Sequence, residues 1–365
     1  MKAKGSLILD LYIIKKFLGT FVFALSLLMF IVVIFDLTEK LDNFIERNAP
    51  FQSVVFDYYL NFIPYFLLLF SPLFTFITVI FFTSKLASNS EIIAMFSNGL
   101  SFRRMILPYF VSAFIIAVFS FVLSNFVIPH ANRNRHIFEE IFVQAAPASY
   151  NKRNIHIQVE PNVYVYMESY STTGKVGHKF SMERFGRDGH LDSKLMADYV
   201  KWDTTANKWR IRNYYIRNFT EDGEVLTEGQ YIDTTLNIFP EDFSMRGNIV
   251  EEMNMAELKR FIDKQKLKGS ENIKPFLIEK YRRVAIPFST FILTLIGVSL
   301  SSRKIRGGIG THIGTGIGLS FAYILFMQFS SQFAIGGSIN TMLAVWLPNI
   351  VFAVIAGYLY FLAPK

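Results

Sequence analysis

Uncharged apolar runs alternate with short polar connections along most of this chain, and one long segment between them keeps a different rhythm. The runs are Phe17–Phe35, Tyr58–Ser84, Met105–Pro129 and Val284–Ser302, followed by residues 307–364, which contain no Asp, Glu, Lys or Arg. A lipid core does not hydrate charge, so an uncharged apolar run of about 18 residues or more reads as a membrane-spanning helix. The last run is long enough for two, with Gly336-Gly337-Ser338-Ile339-Asn340 as the turn between them. The pattern predicts six spans.

Residues 130–272 alternate instead with period two, as half-buried strands do. Ile155–Val159, Val163–Met167 and Lys208–Tyr214 are examples, punctuated by turn signals at Thr172–Gly174, Gly186–Gly189 and Glu221–Gly223. Successive strands with short turns predict an antiparallel, jelly-roll-like domain. Met255–Lys268 then reads as an amphipathic helix with Leu258, Phe261, Ile262 and Gln265 at helical spacing. The expected architecture is an α-helical membrane protein of six transmembrane helices with an inserted antiparallel β domain. Residues 1–129 hold spans one to three, 130–272 the β domain, and 273–365 spans four to six.

Charge gives this arrangement an orientation. The net charge of +8 would suggest nucleic acid in a soluble protein, but here Lys and Arg flank the spans. One side carries Lys2, Lys4, Lys15, Lys16, Lys85, Arg103, Arg104, Arg303, Lys304, Arg306 and Lys365. The opposite loop, Asp36–Pro50, carries Asp36, Glu39, Asp42 and Glu46 against Lys40 and Arg47. Both termini are therefore expected in the cytoplasm and the β domain outside, in the periplasm of a two-membrane cell. The first run is too long for a signal peptide and lacks a small-residue cleavage site, so it reads as a retained span. With no cysteine there is no disulfide framework and no thiolate metal site.

Three segments carry candidate chemistry. Ser88–Gly99, between spans two and three, predicts one short helix over 88–98. Ser88 and Glu91 have capping-box spacing, and Asn98-Gly99 is a stop. It presents Ile92, Ile93, Met95 and Phe96, and is too short to span. It either lies flat in the headgroups or docks in a groove of a cytoplasmic partner. Gly310, Gly314 and Gly318 form a small-residue stripe, which serves internal helix packing or a mobile seam with a second subunit. At the outer ends of the spans, Lys40, Arg133, Arg135, Lys280, Arg282 and Arg283 either snorkel to headgroups or hold an anionic lipid headgroup.

No phosphate-binding loop, paired-histidine metal motif or serine nucleophile elbow occurs, so no catalytic residue, metal or cofactor is assigned. No uncharged run contains a midplane carboxylate of the kind proton-coupled transport uses.

Taken in order, several motifs resemble the permease subunits of the lipopolysaccharide export machine, the LptF/LptG family. They are Leu9-Asp-Leu-Tyr-Ile13, Ser90-Glu-Ile-Ile-Ala94 with Gly99-Leu-Ser, Lys208-Trp-Arg-Ile211, Arg282-Arg-Val-Ala-Ile-Pro287 and Trp346-Leu-Pro-Asn349. The resemblance covers nearly the whole chain. It implies a bacterial inner-membrane permease that pairs with a second homologous permease and binds a cytoplasmic ABC-type ATPase dimer. Lipopolysaccharide would leave the outer leaflet through a cavity between the permeases, and the β domain would pass it to a periplasmic bridge protein. On this resemblance Ser90, Glu91, Ile92, Ile93, Met95 and Gly99 match the ATPase-coupling helix. Asp36 stands at the end of span one, where some relatives carry a basic residue. A membrane scaffold that anchors periplasmic proteins through its β domain and moves nothing is the alternative reading.

Overall fold

A computed structural model describes residues 2–143, 152–172, 174–186, 188–220, 223–236, 238–240, 249–267, 273–302 and 308–363. The basic positions Arg303, Lys304, Arg306 and Lys365, and Glu221 and Asp222 of one expected turn, lie outside the described residues. The chain divides into two compact units.

Among the described residues, the first unit holds six helices long and apolar enough to cross a membrane. They are α1 (Lys2–Glu46), α2 (Phe51–Ser88), α4 (Phe102–Phe142), α6 (Lys274–Ser301), α7 (Gly308–Ile335) and α8 (Thr341–Leu362); the short helix α3 (Glu91–Ser97) lies between α2 and α4. The helices overrun the uncharged stretches, because backbone hydrogen bonding continues into the polar interface once the helix is nucleated. Two of them contain π-helical turns, Val54–Tyr59 in α2 and Leu123–Val127 in α4.

Helices α2 and α6 form the centre. Phe76 and Ile80 of α2 and Leu293 and Ile296 of α6 are buried in one cluster with Tyr323 and Phe352. Gly297 allows this approach, since a Cβ there would lie 2.7 Å from Val79 Cγ1. Asn349, from the Trp346–Asn349 motif, joins three helices. Its side-chain amide donates to the Ala285 carbonyl at 2.9 Å and its oxygen accepts from Tyr323 at 2.8 Å. The turn between α7 and α8 falls where expected. Gly337 holds φ +86°, and the Asn340 side chain caps α8 by accepting from Met342 N–H at 2.9 Å.

The second unit is built on a six-stranded antiparallel sheet: β1 (Lys152–Glu160), β2 (Val163–Ser171), β3 (Val176–Phe185), β4 (Leu191–Asp203), β5 (Lys208–Thr220) and β6 (Gly223–Thr234). The strands pair in chain order, β1 to β6. Simple alternation breaks once along each central strand. Leu195 and Ala197 face the core in the first half of β4, but Val200 and Trp202 do so in the second. On β5, Trp209 and Ile211 are followed by Tyr214 and Ile216. Two consecutive residues therefore turn outward on facing strands, Asp198-Tyr199 and Arg212-Asn213, with no change of register. Asn213 meets this bend with φ +50° and donates to Asp198 at 2.8 Å. Bends of this kind let one sheet curl around its own apolar face. Trp209, fully buried, closes that core by donating to the Ile238 carbonyl at 2.8 Å. A further helix, α5 (Met255–Leu267), buries Leu258, Ile262 and Gln265 along one side, while Phe261 is half-buried.

Candidate functional site

The short helix α3 differs from the expected one at its start. No capping box forms. Ser88 ends α2 and its hydroxyl donates to the Lys85 carbonyl at 3.1 Å. Ser90 occupies the N-cap with φ 64° and makes no side-chain cap. The physical reason is the two-residue reversal at Asn89-Ser90, which forces the left-handed conformation and uses Ser88 as helix. Glu91 is held otherwise, accepting from Tyr12 of α1 at 3.2 Å and from Asn89 at 3.4 Å. The stop behaves as expected. Gly99 (φ 83°) donates to Phe96 O and Leu100 to Met95 O, a Schellman closure that only a residue at ease with positive φ makes cheaply.

The apolar residues of α3 divide between two tasks. Ile92 is 1 % exposed, in a cluster with Ile13 and Phe17 of α1 and Phe102 and Met105 of α4. Ile93 points away and is 52 % exposed, while Met95 and Phe96 are half-buried. Asp10 of α1 fixes the surroundings by a two-pronged pair with Arg104, at 2.7 and 2.5 Å. The motifs Leu9–Ile13 and Ser90–Ala94 thus meet at one end of the bundle, where Tyr360 and Ala363 at the end of α8 also pack. Tyr12, Asp10 and Arg104 went unnoticed as partners because their pairings cross 79 and 94 residues of sequence.

The glycine stripe faces outward. A Cβ on Gly310, Gly314 or Gly318 would meet nothing within 4 Å. Close packing inside the subunit falls instead to Gly316, where a Cβ would lie 2.3 Å from Ile80 Cδ1. Exposed apolar residues Ile317, Phe321, Leu325, Phe329 and Phe333 continue along α7.

At the opposite end of the helices, most of the basic residues singled out by sequence converge, each with a carboxylate. Lys40 pairs with Asp36 at 2.8 Å and reaches Glu139 at 3.9 Å. Tyr58, placed by the π turn of α2, bonds Lys40 and donates to Asp36 at 3.1 Å. Arg135 lies 3.7 Å from Glu139 and stacks 5.2 Å from the Tyr65 ring centre. Arg282 and Arg283 share Glu279, at 2.5 and 3.0 Å. Arg283, 3 % exposed, also donates to the Met253 carbonyl at 2.6 Å. His136 sits 2.7 Å from Glu252, which belongs to the 3-10 turn Ile249–Glu252 ahead of α5. Beside it, burial and the nearby Glu279 push the Glu251 carboxyl above its ordinary range. Lys280 lies 5.7 Å over the ring of Tyr281, and Arg133 is exposed. Sequence reasoning found the cations and missed Tyr58, Glu139 and His136, whose only signal was position near a span end, and Glu252, which had no such signal. Among the described residues no group of three or more His, Asp or Glu is arranged to hold a metal ion.

A profile described as lipopolysaccharide export system permease LptF/LptG matches residues 11–361. The chain belongs to the LptF/LptG family. A search of curated proteins returned no match. As an LptF/LptG permease it is a multi-pass inner-membrane protein and a transport subunit of the lipopolysaccharide export system, not itself an enzyme.

Proposed function

We propose that this chain is one of two paired permeases in an ATP-driven lipopolysaccharide exporter, with α3 as the coupling helix. The observation that carries the reading is the split of α3: Ile92 is locked into the bundle while Ile93 stands free. A helix anchored on one side and open on the other transmits displacement, whereas one lying in headgroups needs no such anchor. In this reading both termini and α3 face the cytoplasm and meet an ABC-type ATPase dimer. ATP-driven movement of the ATPase pushes α3, and α1 and α4 move with it through Tyr12–Glu91 and Asp10–Arg104. The second permease packs on the stripe Gly310, Gly314 and Gly318. The cavity between the subunits takes lipopolysaccharide from the outer leaflet, and Lys40, Arg133, Arg135, Lys280, Arg282 and Arg283 engage its anionic headgroup. The β domain, in the periplasm, hands the lipid to a bridge protein. External energy is required because each acyl CH2 leaving the bilayer costs about 0.8 kcal/mol.

The test is Glu91→Lys. Its carboxylate bonds only exposed groups, so the variant is expected to insert and fold while lipid export and stimulation of the partner ATPase are lost. Normal export in a Glu91→Lys strain would refute the coupling role.

A further inference from the structure

The outer surface of the β domain carries a pocket of about 380 Å³, lined by Tyr199, Lys201, Trp202, Asp203, Thr204, Arg210 and Arg212. It lies on the side of β4 and β5 opposite Val200, Trp209 and Ile211, which face the apolar core, while Trp202 borders both the core and the pocket. The bend described above shapes it, since Tyr199 and Arg212 are among the residues turned outward there.

Its charges break a rule of sheet pairing. Lys201 stands directly across from Arg210, and like charges opposed on adjacent strands destabilise a sheet. Arg212 is flanked by Tyr199 on β4 and Tyr231 on β6. The available carboxylates are spent on Arg210. Asp233 binds it through two oxygens at 2.8 and 3.0 Å, and Asp203 lies 3.7 Å away. Asp203 is itself held by the N–H groups of Thr205 and Ala206, at 2.9 and 3.2 Å. Among the described residues neither Lys201 nor Arg212 has a carboxylate in an ion pair. The result is an Arg210 held by its own carboxylates, with two further cations outside any ion pair and a tyrosine around one concavity, Arg212 feeling Asp233 only at longer range. A surplus of cations on one concave face is a local rule broken, which marks a candidate functional position.

We propose that this pocket is an anion site for a phosphate monoester, with Lys201 and Arg212 supplying the charge, the Arg212 fork two donors, and Tyr199 a hydroxyl. A guanidinium fork matches two phosphate oxygens, and an ammonium adds a point charge. A bound dianion relieves the Lys201–Arg210 opposition. The phosphate dianion that such a site reads has three sources: inorganic phosphate, and the monoesters of a soluble sugar phosphate and of a lipid headgroup.

The experiment uses the full chain in an uncharged detergent, wild type against Lys201→Gln/Arg212→Gln. Binding of inorganic phosphate, glucose 6-phosphate and dihexanoyl phosphatidic acid is measured by titration calorimetry at constant ionic strength. The expected result is saturable binding to wild type that weakens about tenfold for each cation removed. Equal binding of all three identifies a site that reads the phosphate dianion alone. Preference for the lipid, or for the two soluble anions, assigns the source and supports the site. No saturable binding, or binding untouched by the double variant, overturns it. Thermal unfolding without phosphate gives an independent arm: relief of like-charge repulsion makes the double variant at least as stable as wild type. A less stable double variant overturns the argument from charge opposition.

Discussion

Two glycines on nearly opposite faces of α7 should respond oppositely to the same substitution. At Gly314 an added Cβ meets no atom within 4 Å, so Gly314→Leu introduces no clash inside the subunit. Removing a helical glycine favours the folded helix by about 0.8 kcal/mol. Gly316→Leu gains the same amount but places Cβ 2.3 Å from Ile80 Cδ1, far inside contact distance. Ile80 is fully buried, so its side chain has nowhere to withdraw. Overpacking of that kind costs about 1–3 kcal/mol, more than the propensity gain throughout that range, for a net loss of up to about 2 kcal/mol. The assays are thermal melting of the purified subunit by circular dichroism and recovery of the second permease with the tagged subunit. Gly314→Leu is expected to melt at or above the wild-type temperature and to lose the second permease. Gly316→Leu is expected to melt below it. A Gly314→Leu subunit that recovers its partner at wild-type yield refutes the seam, and equal melting of the two variants refutes the packing argument.

Asn349→Leu keeps the volume of the side chain but removes the acceptor of the buried Tyr323 O–H, leaving that hydroxyl only its contact with Ser289; a loss of about 1–3 kcal/mol is expected, measured by melting, and Tyr323→Phe in the same background should recover part of it. The Glu251 carboxyl has a folded pKa raised above its unfolded value, so the protein binds its proton more tightly when folded. Its contribution is fully present below the unfolded pKa and is lost as pH rises through the folded value. Glu251→Gln should therefore be more stable than wild type at neutral pH and should flatten the melting temperature between pH 4.5 and 7; a wild-type melting temperature that rises over that interval only when Glu251 is present would contradict the sign.

The six spans were legible because lipid demands apolar length, and no tertiary detail alters that demand. The strands of the insert were legible over short stretches such as Val163–Met167, where alternation is uninterrupted. The face switch at Asp198-Tyr199 and Arg212-Asn213 was not, because it depends on two strands bending together. The stop at Gly99 is local chemistry and read correctly. The start of the same helix did not, since the capping box assumed an extended residue at Ser88 while α2 runs through it. Spacing also identified the glycine stripe without revealing which glycines face inward. Gly316 sits two residues from Gly314 and Gly318, and only the position of Ile80 separates their roles.

The cations at the end of the bundle opposite α3 change meaning once their partners are known. Lys40, Arg135, Arg282 and Arg283 stand with Asp36, Glu139 and Glu279. Lys40, Arg135 and Arg283 are largely shielded from solvent, with side-chain exposures of 19, 10 and 3 %. Partial burial makes an unpaired charge costly, so these groups need anions at all times. A phosphate-bearing headgroup that engages them has to replace a carboxylate, not fill an empty cradle. The exchange trades one charge-assisted bond for another and yields little net affinity. Acyl-chain burial then has to supply most of the holding energy, and charge the selectivity. On the proposed function this is an advantage for a transport subunit: a headgroup bound by exchange would leave when Asp36, Glu139 and Glu279 return to their partners, and no bare cation would be exposed at any step.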